Sequence, residues 1–165
     1  MKRFSFIVLV AILVLVLGCQ PSTTPTTQSG PVTAAEASQS ISTAYRLIVL
    51  HSVVPIKPSV LASAGIGGLR SGLMVDGIMP PQVQSPSFTS NPAQDATLLT
   101  DSVSVALAQY SSKMSPQQAD DSVISSMANS VGDCHTTYFT PAQFAEQLAW
   151  IQGQTKFGCI GASLR

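Results

Sequence analysis

The sequence predicts a mainly α protein. It is expected to form a small bundle of four to five helices with a nascent C-terminal β-strand, after an apolar leader and a disordered tether. Three observations carry that expectation. Apolar residues between Ala34 and Gln152 recur at three- and four-residue spacing, the period that lines one face of an α-helix. Capping residues stand directly before proline at Ser115-Pro116 and Thr140-Pro141, where the fixed φ of proline suits a first helical turn. The last apolar run, Phe157-Gly158-Cys159-Ile160-Gly161, is short and glycine-punctuated, as in a strand that another backbone approaches closely. The 165 residues allow one folded domain.

In chain order, Lys2 and Arg3 precede an apolar run from Phe4 to Leu17 that ends in Gly18-Cys19. A charged start, a short apolar stretch and a small residue before the cut describe a secretory signal over residues 1–18. The run is shorter than the roughly 18 residues wanted for a spanning helix. Val16-Leu17-Gly18-Cys19 resembles a bacterial lipobox, whose cysteine receives a diacylglyceryl group. The resemblance implies lipidation at Cys19, with membrane lipid as a partner. It also implies an exported chain anchored to the bacterial cell membrane and facing the extracytoplasmic side. Acyl burial is worth about 0.8 kcal/mol per CH₂, so two or three chains make a durable anchor. The alternative is a plain signal peptide with a chance cysteine. Residues 19–33 would hold the lipidated cysteine and its linker. Within them QPSTTPTTQSGPVT has too little apolar surface to order itself and reads as a disordered tether.

The helical domain is expected over residues 34–156. Thr33, with Glu36 three residues on, makes a capping box for a first helix from Ala34 to His51, with Ile41, Tyr45, Ile48 and Val49 along one face. Pro55 and Pro58 end it and open a second helix from Pro58 to Leu73. That helix contains Gly65, Gly67, Gly68 and Gly72, each costing about 1 kcal/mol against alanine, and the small residues would let a neighbouring helix sit close. Val75 to Pro92 is a Pro/Ser/Gln-rich loop, long enough to be expected mobile or functional. Asn91 or Asp95 starts a third helix running to about Lys113, with Leu98, Leu99, Val103, Leu107 and Tyr110 as its stripe. Ser115-Pro116 opens a fourth, carrying Ala119, Val123, Ile124, Met127 and Val131 and ending at Gly132.

The segment that follows is the most informative. Gly132 and Asp133 are turn residues, since glycine accepts φ > 0 and aspartate hydrogen-bonds its own backbone. Thr140 caps a helix in which Phe144, Leu148 and Ile151 recur at helical spacing, and Gly153 stops it. Residues 157–165 would be the first strand of what comes next. This run, GDCHTTYFTPAQFAEQLAWIQGQTKFGCIG, resembles the N-terminal region of the C-terminal processing (tail-specific) serine peptidases. Those chains carry G-D-x-H-T-x-Y/F-x-T-P, a short helix, and F-x-x-I-G leading into a PDZ domain. Gly132, Asp133, His135, Thr136, Tyr138, Thr140, Pro141, Phe157, Ile160 and Gly161 match the pattern. Position 134, often proline there, is Cys134 here, and Val53-Val54-Pro55 replaces the family's Tyr-Val-Asp-Pro-like turn.

The resemblance covers Ser122 to Leu164 and implies structural roles for the matched residues. The family's catalytic serine and lysine lie beyond the PDZ domain, so this stretch holds no nucleophile to name. It implies that the chain is the scaffold portion of an envelope-anchored serine peptidase. PDZ and protease domains would be its partners, and the complete enzyme would cleave exported protein substrates. The alternative from another class is a complete, non-catalytic helical lipoprotein acting as a binding or adaptor module.

Other chemistry is weakly signalled. Asp133, Cys134 and His135 are adjacent, and adjacent residues rarely aim their side chains at one point, so a Cys-His nucleophile is disfavoured. His51, His135, Cys134 and Cys159 show no metal-ligand spacing, and no cofactor motif occurs. Gly68-Leu69-Arg70-Ser71-Gly72 only superficially resembles a nucleophile elbow. Cys134 and Cys159 are candidates for a disulfide worth about 3 kcal/mol by chain entropy; the alternative is two separate buried thiols. Of eight basic side chains, Lys2 and Arg3 leave with the signal, so six face eight acidic ones without a basic cluster, and nucleic acid is excluded as an expected partner. Tyr138, Phe139, Phe144 and Trp150 are expected in the core rather than in a substrate cradle.

Overall fold

The structure, a computed structural model, describes residues 30–79 and 81–153. The leader, Cys19, most of the tether, and the strand expected at 157–165 with Phe157, Cys159, Ile160 and Gly161 lie outside the described residues. Within them are five helices: α1 (Ala34–His51), α2 (Pro58–Val75), α3 (Pro92–Gln109), α4 (Pro116–Ser130) and α5 (Pro141–Ile151). No strand occurs among the described residues. The mainly α, small-bundle expectation is therefore met.

Four of the five starts carry a side-chain cap, while α2 opens on Pro58 with no side-chain cap bond from Lys57. Thr33 and Glu36 form the expected capping box on α1, and Ser115 with Gln118 and Thr140 with Gln143 form two more on α4 and α5. In each, a hydroxyl and a longer side chain exchange hydrogen bonds with backbone N–H groups that a helix start leaves orphaned. Asn91 caps α3 through Oδ1, which accepts from the Ala93 and Gln94 N–H groups. Helix α3 stops at Gln109 rather than near Lys113. Tyr110 leaves the helical path, and a turn through Lys113 brings Met114 back into the core, 2% exposed.

Helices α1–α4 form the core. Helix α2 packs most extensively on α4; α1 lies against α3 and α4, and α3 also against α2. The two remaining pairings, α1 with α2 and α3 with α4, touch only slightly. The bundle thus runs α2–α4–α1–α3 around its square, with helices consecutive in sequence placed diagonally in two cases. Ile41 and Tyr45 of α1, Leu61, Ile66, Leu69 and Leu73 of α2, Leu99 and Val103 of α3, and Val123 and Met127 of α4 meet inside.

Glycine decides how α2 meets α4. A Cβ added at Gly68 would run into the Ser122 carbonyl oxygen and lie 2.5 Å from Ser126 Cβ. At Gly72 it would lie 2.6 Å from Ser122 Oγ and 2.8 Å from Met114 Cε. Ser126 Oγ donates across the seam to the Ala64 carbonyl at 2.8 Å. Propensity alone argues against four glycines in one helix, yet α2 runs unbroken to Val75, and three of them, Gly65, Gly68 and Gly72, permit a close approach that offsets their entropy cost.

The connection from α2 to α3 is an extended strap held by three side chains. The Arg70 guanidinium donates twice to the Val83 carbonyl, at 3.0 and 2.6 Å, and the Tyr110 hydroxyl accepts from the Gln82 N–H at 2.8 Å. Fully buried Asp95 accepts from the Thr89 N–H (2.7 Å), the Thr89 hydroxyl (3.1 Å) and the Ser90 N–H (2.9 Å). These bonds hold Ser90 at φ 66°, a left-handed conformation that costs a non-glycine residue free energy. The loop expected to be mobile or functional is pinned at both ends.

The glycine seam makes two substitutions in one helix opposite in sign. Gly68→Ala forces overpacking against backbone and should destabilise by about 2 kcal/mol or more. Gly67→Ala meets nothing within 4 Å and should stabilise by about 0.5–1 kcal/mol. Urea midpoints at constant slope would measure both.

Candidate functional site

The candidate site is the arm from Gly132 to Gly153, which leaves the bundle at the end of α4. Gly132 sits at φ 73°, the left-handed conformation that ends a helix and turns the chain. Asp133 then folds the backbone around itself. Its Oδ1 accepts from the His135 N–H (3.0 Å) and the Thr136 N–H (2.6 Å), and its Oδ2 from the Thr136 hydroxyl (3.0 Å). The Thr136 amide bond, more than any other contact, holds the Asp133 carboxyl below its ordinary range. Thr136 and Asp133 thus act together as a turn, and the carboxylate is spent on backbone rather than on the imidazole.

His135 and Cys134 are both exposed, with Sγ 3.5 Å from Nε2. The pair is closer than adjacency alone suggests, but Asp133 makes no hydrogen bond to the ring, so the three do not form a relay. Cys134 is a free, exposed thiol, and its candidate disulfide partner Cys159 lies outside the described residues. Among the described residues no group of three or more His, Cys, Asp and Glu could hold a metal ion. Gly68 to Gly72 lie inside α2, far from any strand–turn–helix elbow. No helix of the described residues is long and apolar enough to cross a membrane.

Tyr138 ties the arm to the bundle. Its ring is half-buried against the core, and its hydroxyl donates to Asp121 Oδ1 of α4 at 2.6 Å. Burial first, and the Asp121 carboxylate second, raise the phenol well above its ordinary range, so it stays a donor at any physiological pH. Gln117 Nε2 donates to the same Asp121 oxygen at 2.9 Å. Two residues later, Thr140 and Pro141 start α5 as expected.

Beyond Tyr138 the expectation of a core fails. Phe139 is 44% exposed, Phe144 58%, Leu148 42%, Trp150 54% and Ile151 66%, and α5 has no buried residue. The reason is geometric: four helices already close the core, and α5 touches none of them. An open groove of about 600 Å³ lies between Thr137–Phe139 and the α5 face carrying Gln143, Glu146, Gln147 and Trp150. A second groove, about 430 Å³, lies between the strap at Gln82–Pro86 and α3, with Leu98, Val105 and Ala106 along its apolar side and Asp101 as its charged group.

One acidic residue near the arm's anchor escaped the sequence reading. Asp120, 7% exposed, lies on the α1–α4 seam, where the Ser40 hydroxyl donates to Oδ2 at 3.2 Å. Its Oδ1 has no hydrogen-bond partner among the described residues. Burial pushes the carboxyl up to about 6, and the neighbouring Asp121 charge adds to this while the Ser40 bond opposes it. The signal was present: Asp120 stands three, four and seven residues before Val123, Ile124 and Met127, on the apolar stripe itself.

Two outcomes follow from this geometry. Because the Asp120 pKa is higher folded than unfolded, the folded state keeps a proton that the unfolded chain releases between about pH 4 and pH 6. The burial penalty is thus absent below that window and complete above it. Asp120→Asn should match wild type near pH 4 and gain about 2 kcal/mol above pH 7, measured by denaturant titration across pH. Tyr138→Phe deletes the bond to Asp121 and should cost about 1–2 kcal/mol, with faster proteolysis confined to residues 133–153.

Comparisons with protein-family models, with curated proteins and with solved structures each find no match to this chain.

Proposed function

We propose that this chain is the N-terminal scaffold portion of an envelope-anchored C-terminal processing serine peptidase. Cys19 would hold it to membrane lipid, the tether would lift it off the surface, and the bundle would carry PDZ and protease domains that lie outside this sequence. The proteolysis of exported proteins would use a Ser-Lys pair located in those domains, and this portion would be inactive by itself.

The observation that carries the reading is the ordered agreement of Gly132, Asp133, His135, Thr136, Tyr138, Thr140 and Pro141 with the family's segment, followed at the same spacing by Phe157, Ile160 and Gly161. The uses these side chains have support a scaffold role. Asp133 and Thr136 build a turn, Tyr138 anchors it to α4, and Thr140 with Pro141 starts a helix that projects from the bundle. A chain whose motif residues are occupied with carrying an arm suits a platform for something else.

A second reading, a non-catalytic helical lipoprotein that binds a partner at the cell envelope, draws on the exposed apolar face of α5. The intact mass of the native protein extracted from membranes separates the two. The scaffold reading expects a species tens of kilodaltons heavier than 17.2 kDa that continues past Arg165 into a PDZ-like sequence. A lipidated species ending at Arg165 would overturn it in favour of the adaptor.

A further inference from the structure

The groove between the strap and α3 has two unlike walls. One is the outer side of α3, with Leu98 and exposed Val105 as its apolar residues and Asp101 as its charge. The other is the extended chain from Gln82 to Pro86. Arg70 and Tyr110 fix that chain from two directions, so the groove, about 430 Å³, is formed before anything enters it. Its volume lies within the range of ligand sites, about 300–1,000 Å³. We propose that it binds an extended polypeptide segment carrying a lysine or arginine, which pairs with the strap backbone at Gln84 and sets its cation against Asp101.

Backbone, length and charge together select this occupant. The Val83 carbonyl faces Arg70 of α2, whereas the Gln82 N–H meets the Tyr110 hydroxyl at the end of α3. Successive residues of an extended chain turn their backbone groups to alternate sides, so Gln84 presents its N–H and carbonyl on the side that Gln82 does, toward α3. Gln84, Ser85, Ser87 and Phe88 make no hydrogen bond among the described residues. An unpaired extended edge is a template for another strand. The walls also match in length. Gln82 to Pro86 spans about 13 Å at 3.3 Å per residue, and Leu98 to Gln109 about 16 Å at 1.5 Å, which leaves room for about four or five extended residues. Asp101 is the one charged residue lining the groove, so its complement is a single cation.

Other occupants fit less well. A helix has its backbone groups paired internally and would leave those of Gln84 unanswered. A second copy of this chain, meeting the groove through the same patch, would answer Gln84 but bring no basic residue to Asp101. An apolar small molecule would answer neither. The groove lies on the bundle, and what it binds does not depend on the peptidase reading.

Fluorescence anisotropy of a labelled peptide, Val-Lys-Val-Lys-Val, titrated with the full-length chain in zwitterionic detergent tests this. Saturable binding is expected, weakened about two- to tenfold when alternate peptide amides are N-methylated and lose their donors. Asp101→Asn should weaken it by up to about fivefold. Asp101→Lys should reverse the preference, so that the same peptide with glutamate in place of lysine binds better. Gln84→Pro deletes one strap N–H where the chain is already extended, and should weaken binding by about two- to tenfold. Both positions are exposed, so the variants should keep the wild-type circular dichroism. No saturable binding, equal binding of the N-methylated peptide, or an unchanged preference in Asp101→Lys overturns the proposal. Lysine amide binding as tightly as the peptide also overturns it, in favour of a small-cation site. So does a dimer in sedimentation that Gln84→Pro dissolves, which would give the edge to a second copy.

Discussion

The close contact between α2 and α4 sets the dimensions of the bundle. Gly68 and Gly72 give the Ser122–Ser126 edge of α4 room to lie against α2 backbone, and Ser126 then reaches the Ala64 carbonyl. Helices that approach this closely fix where their other faces point. Leu61, Ile66, Leu69 and Leu73 are directed inward together, and Met114 can close the end beside Gly72. Larger residues on α2 would separate the pair and open voids elsewhere, since a close-packed interior transmits such a shift rather than absorbing it.

Much of this was legible in the sequence, and the parts that were not have physical reasons. The starts of α1, α4 and α5 were readable because capping chemistry is local: Thr33 with Glu36, Ser115 with Pro116 and Thr140 with Pro141 each act within four residues. The left-handed glycine at 132 was readable for the same reason. The strap was not, because Arg70, Tyr110 and Asp95 reach it from three positions along the sequence, and no local pattern encodes those bonds. The exposed face of α5 was misread as core because periodicity reports that a face is apolar, not that another element remains to cover it. In the arm, the turn around Asp133 was legible and the Tyr138–Asp121 bond, 17 residues apart, was not.

Buried acid is the other recurring device. Asp95 is fully buried yet well supplied with donors, which is the condition under which a carboxylate can stay inside at modest cost. Asp120 has one donor and one orphaned oxygen, and its proton affinity rises accordingly. The contrast shows why sequence position alone misleads: both residues stand on apolar stripes, and only the number of donors aimed at each separates a staple from a liability.

The order of helices around the square has a bearing on how the chain comes to be folded. The first core helix lies beside the last, so that Ser40 meets Asp120 across 80 residues of sequence. Contacts of such separation raise the loop-closure cost and slow folding relative to a bundle of sequential hairpins. During synthesis α1 could meet α3 first, but without α4 its second packed face would stay uncovered, and no shorter N-terminal piece can complete the core. In a chain arranged in this way the core closes only when its final helix arrives, so the four helices are expected to order together rather than one after another.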